Sequence, residues 1–82
     1  YGMKKYIDEA LLKEIALRIK VLRKEKDLSQ IEFLIATDIN ISRIEIAKNN
    51  MTISTLKAIC NYFDISLSDF LKDIPKSKFP KE

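Results

Sequence analysis

Cys60 is the only thiol in the chain, and there is no histidine to pair with it. A Ser–His or Cys–His nucleophilic pair is excluded, as is a zinc site with several Cys or His ligands. The one glycine is Gly2, so no glycine-rich loop can cradle a phosphate. No enzyme is expected, and no cofactor or metal. The polar residues that remain suit recognition rather than reaction. They crowd into one stretch: Gln30, Thr37, Asp38, Asn40, Ser42, Arg43, Lys48, Asn49 and Asn50. Arg43 carries a planar fork of donors that matches guanine O6 and N7, and Ser42 could meet either type of base pair. Asp38 could accept from cytosine N4, or could simply favour the positive end of a following helix.

These side chains need elements to position them. Eighty-two residues support one domain with a modest core. The composition, 46% hydrophobic and 33% charged, is that of a globular protein. No apolar run approaches the roughly 20 residues that span a bilayer. The start is not a secretory signal, because no apolar stretch follows Lys4-Lys5. Met3 reads as the natural start, with Tyr1-Gly2 added ahead of it. We divide the chain into an N-terminal segment (1–7), a domain (8–73) and a polar tail (74–82). Phe79 in that tail could dock. The lone cysteine fits a reducing cytoplasm.

Helical spacing dominates. Leu12, Ile15, Ile19 and Leu22 form one stripe, and Asp8 is a fitting N-cap, predicting a first helix over 8–26. Asp27 breaks it and Leu28 folds back. Ser29 and Glu32 form a capping box that starts a second helix, about 30–35. Thr37 is expected to cap a third, about 38–47, with Ile41 and Ile44 buried. Asn49-Asn50 can end it. Thr52 caps a fourth helix with the cleanest core stripe: Leu56, Ile59, Cys60 and Phe63. Ser66 and Asp69 form another box. A fifth helix, about 67–73, carries Leu67, Phe70 and Leu71 and stops before Pro75. Nothing reads as a strand.

The segments LRKEKDLSQ, SRIE, TISTL and DISLSDFL, in this order and spacing, resemble the Xre-type (Cro/repressor) helix-turn-helix family of bacterial and phage DNA-binding proteins. The resemblance spans residues 15–72. It implies an all-α, five-helix, lambda-repressor-like fold in which helices 2 and 3 form the reading unit. It also implies a homodimer, and a semi-buried ion pair between Arg23 and Glu45. Asp27, Ala47 and Asp64 stand where the family often has glycine. Ala in a left-handed conformation is costly, so Ala47 is expected to stay helical, with the turn coming later at Asn49-Asn50. Between Ser29-Gln30 and Ile44-Glu45 the chain is about three residues short of the usual spacing, nearly one helical turn. We place that loss in helix 2 or the turn.

In such a motif helix 3 enters the major groove. With Ile41 and Ile44 facing inward, Asp38, Ile39, Ser42 and Arg43 lie on or near the opposite face, and Asn40 at its edge. Ile39 could pack on a thymine methyl or on the protein. Gln30 and Thr37 could hold phosphates; Lys48, Asn49 and Asn50 lie in the loop that approaches the backbone. Ser29 and Thr52 are read as caps. Apolar residues around helix 5 (Tyr62, Ile65, Leu67, Phe70, Leu71) exceed what one short helix needs, and suggest a dimer surface. The charge distribution is less favourable: residues 13–26 carry +4, but 27–71 carry −3 and 72–82 carry +2. The expected function is a dimeric, sequence-specific DNA-binding regulator, a repressor or controller on a near-palindromic operator. The alternative is a protein-interaction module of the same fold that does not bind DNA. Neither reading involves a membrane or a small ligand.

Overall fold

The computed structural model describes residues 7–47 and 50–76, and five helices lie within them. Expectations for Tyr1-Gly2, Lys48, Asn49 and Phe79 fall outside the described residues. Helix α1 runs Glu9–Glu25. The Asp8 carboxylate caps it by accepting the Leu11 N–H at 3.1 Å. At the other end Asp27 turns left-handed (φ 52°). The Leu28 N–H then reaches back to the Arg23 carbonyl, and the Asp27 N–H to that of Lys24, each at 3.0 Å. This paired closure satisfies two carbonyls that the helix end would leave open.

Helix α2 runs Gln30–Thr37, two residues further than expected. Ser29 and Glu32 exchange both bonds of the capping box. The Ser29 backbone N–H, which donates to that carboxylate, and secondly the nearby Ser29 side chain hold the Glu32 carboxyl below the usual glutamate range. Helix α3 runs Ile41–Ile46 and is capped by Asn40, not by Thr37. Thr37 is still inside α2: its hydroxyl donates to the Phe33 carbonyl (2.7 Å) and accepts the Ile39 N–H (3.1 Å). Ala47 does not remain helical as expected. It ends α3 in the left-handed region (φ 64°, ψ 34°). Its methyl is buried with Leu12 and Ala16 of α1, which offsets the strain of that conformation.

Helix α4 runs Ile53–Tyr62 from a Thr52 cap. Asp64 (φ 56°) closes it as Asp27 closes α1, with Ile65 N–H on the Cys60 carbonyl. Helix α5 is only Leu67–Phe70, not 67–73; Leu71–Asp73 form a turn ending at left-handed Asp73. Ser66 caps α5 through the Asp69 N–H. Arg18 of α1 then donates to the Phe70 carbonyl (2.7 Å) and to that of Lys72, while Glu14 orients its guanidinium.

The core joins Ile15 and Ile19 of α1 to Phe33, Ile41, Leu56, Ile59, Cys60, Phe63 and Phe70. Phe33 stacks on Phe63 with centroids 5.6 Å apart, and Tyr62 meets both rings edge-on. Burial pushes the Cys60 thiol up, so it stays protonated. The apolar set expected to form a dimer surface is largely spent here. Phe70 is 2% exposed, and Ile65, Leu67 and Leu71 pack on the core. A four-residue helix needs nearly all of its apolar side chains to dock. Only Tyr62 of that set is substantially exposed, at 40%.

Candidate nucleic-acid interface

Arg23 leaves the last turn of α1 and meets Glu45 of α3 in a two-pronged pair: Nε to Oε2 at 3.0 Å and Nη2 to Oε1 at 3.1 Å. The third guanidinium nitrogen donates to the Leu28 carbonyl at 2.8 Å. Both side chains are nearly covered, 11% and 4% exposed. Gln30, the first residue of α2, adds its amide to Glu45 Oε1 at 2.9 Å. One carboxylate therefore joins the end of α1, the start of α2 and the end of α3. The bidentate fork also restricts orientation.

Ile41 is fully buried, Ile44 packs on the core and Glu45 faces Arg23. These three hold α3 by one side. The other side presents Asn40 and Arg43, both exposed. Nothing among the described residues pairs with Arg43, so its fork of donors faces solvent. Ser42 is half-buried, and both its N–H and its hydroxyl go to Asn40 Oδ1. That engagement matters for recognition. Reading adenine with both amide groups requires the Asn oxygen as acceptor, and here the oxygen is committed to the cap. The Asn40 amide nitrogen remains as a donor.

Several expected contacts sit elsewhere. Asp38 is not on α3: it is the left-handed corner after α2 (φ 61°), with its N–H on the Leu34 carbonyl at 2.7 Å. It lies before the Asn40 cap and is no part of α3's first turn. Ile39 packs against the core. Thr37 has committed its hydroxyl proton within α2, so it cannot donate to a phosphate in this arrangement. Gln30 keeps its backbone N–H at the start of α2, but its side-chain amide serves Glu45. Asn50 is exposed just beyond Lys48 and Asn49, which lie outside the described residues. Ile46 was missed. It is 60% exposed and lies one turn after Arg43 on the same side. The spacing i, i+3 from Arg43 was the available signal.

Apolar hollows of about 420 and 290 Å³ have no lining residue from α2 or α3. The candidate site is thus an exposed helix face, not a cavity. Among the described residues no cluster of acids and thiols could hold a metal, and no helix is long and apolar enough to cross a membrane.

A family model described as the Cro/C1-type HTH DNA-binding domain matches residues 18–76, more than half of the chain. The chain belongs to this Cro/C1-type helix-turn-helix family. No curated protein and no solved structure matches it significantly. Helix α2 has eight residues and the turn, Asp38 to Asn40, has a usual length. Helix α3 has six residues, about 9 Å of helix. Thr37 and Asn40 are both good caps, and it is Asn40 that starts α3.

Proposed function

We propose that this domain binds double-stranded DNA sequence-specifically, as a homodimer on a near-palindromic operator, and regulates transcription as a repressor or controller in the cytoplasm. The observation that carries this reading is Arg43, unpaired and exposed on a helix whose other side is clamped through Ile41, Ile44 and Glu45. Arg43 would read guanine from the major groove. Ile46, one turn on, would rest on a thymine methyl. The Gln30 backbone N–H, Lys48, Asn49 and Asn50 would hold phosphates and set the register. The Asn40 amide would donate to a base or to the backbone.

The six-residue α3 would contact few base pairs, so useful affinity needs two copies bound together. The surface left for a second copy is the open groove between α1 and α5, where Leu17 and Val21 are 57% and 48% exposed. The same shortness supports a second reading, an interaction module that has lost DNA. Selection from a random duplex library, followed by affinity measurement with Arg43→Ala, separates the two. Enrichment of a site that depends on Arg43 supports DNA reading, whereas no enrichment leaves the interaction module.

A further inference from the structure

The two most exposed large apolar side chains among the described residues are Ile35, at 79%, and Ile31, at 69%; both are on α2. They are four residues apart and so lie one above the other on the helix. Leu34 flanks them at 36% exposure. Helix α2 docks through its other side, by buried Phe33 and half-buried Gln30 and Thr37. The outward isoleucines add nothing to that docking. As β-branched residues they also lower helix propensity slightly. A position that costs local stability and returns no packing calls for a use outside the domain.

Along the chain the α2 segment itself carries only acids, between exposed Lys24 and Lys26 on one side and exposed Arg43 on the other. From Asp27 to Ser42 there is no lysine or arginine, while Asp27, Glu32 and Asp38 are all exposed. Phosphate would be repelled here, and isoleucine offers it no hydrogen bond. A second copy is disfavoured too. A two-fold contact pairs a patch with itself, setting these acids against acids, and like charges across an interface are costly. Neither of the two apolar hollows is lined by α2. What complements it is an apolar stripe edged with cations. We propose that the outer face of α2 is a docking surface for a basic amphipathic helix of another protein, with Ile31 and Ile35 as its anchors and Asp27, Glu32 and Asp38 as its charged rim.

The anchors Ile31 and Ile35 are on α2 and Arg43 is on α3, so the proposal does not require that the domain bind DNA. It can be tested without DNA. The ¹⁵N-labelled full chain is titrated with a synthetic helical peptide bearing a leucine stripe edged by lysines, and amide shifts are mapped. A matched peptide has glutamate in place of lysine. Shifts should cluster on α2 and its two corners. Ile31→Ser with Ile35→Ser should weaken binding by on the order of tenfold or more. Asp27→Asn with Asp38→Asn, which keeps residues that tolerate the left-handed corners, should weaken it several-fold. The glutamate peptide should not bind. Equal binding of both peptides, shifts centred on the α1–α5 groove or α3, or no binding at millimolar peptide would each overturn the proposal. So would self-association in sedimentation that the two Ile→Ser changes abolish, since that would assign the face to a second copy.

Discussion

Arg43 and Arg23 show how one residue type takes two roles in a short stretch of structure. Arg23 is enclosed, with its fork divided between Glu45 and the Leu28 carbonyl. Arg23→Ala would leave Glu45 nearly buried without its charge partner, at a cost of about 3 kcal/mol. Exposed Lys24→Ala should change stability by less than about 0.5 kcal/mol. Parallel denaturant titrations check this, and equal effects would remove the structural role of the pair. Arg43 faces outward. On the selected duplex, Arg43→Ala should cost about 1–3 kcal/mol and relax preference at one position. Lys48→Ala should weaken all sequences alike and reduce the salt slope by about one. Ile46 has its own test. Replacing thymine by deoxyuridine removes only the C5 methyl. One such position per half-site should weaken the parent protein and leave Ile46→Ala unaffected.

At the level of the element, α2 and α5 are both held by contacts at their ends. The Glu32 carboxylate of the α2 capping box is held below its ordinary range by Ser29. A depressed carboxylate contributes stability that is fully present above its unfolded pKa. That contribution is lost as pH falls through the lowered folded value. Glu32→Gln, which removes the titrating carboxyl, should therefore flatten the acid side of the melting-temperature profile as well as lower its plateau. An unchanged acid slope would show that the box does not titrate with folding. Helix α5 is too short to stand alone, and Arg18 grips its last carbonyls. Arg18→Ala should speed amide exchange through the Leu71–Asp73 turn while leaving α4 protected.

For the whole molecule, the question is assembly. The apolar residues of α5 are mostly consumed inside the protomer, and the groove beside Leu17 and Val21 is the surface we propose for pairing. A two-fold dimer would set the recognition helices about 34 Å apart, one turn of B-DNA. Sedimentation should give a dimer and two protomers per site. A monomer at tens of micromolar that binds DNA one-to-one would overturn the dimer.

Much of this protein was legible in its residues. The first and fourth helices, with their Asp8 and Thr52 caps, follow from apolar spacing and local hydrogen bonding, which depend on neighbours in the chain. So do Ser29–Glu32, Leu28 folding back, and the burial of Ile41. The absence of histidine restricts the chemistry whatever the fold. Tertiary structure decided what local signals left tied or misjudged. Thr37 and Asn40 competed as caps, and the packing of Ile39 and Ile41 on the core places the start of α3 after Asn40. Ala47 turns left-handed because its methyl finds Leu12 and Ala16, residues remote in sequence. Phe70 went to the core, while Ile31 and Ile35 were left outside. All are apolar residues on helices, and spacing alone does not say which side of a short helix meets the rest of the protein. That choice is made by partners from other helices competing for one small core.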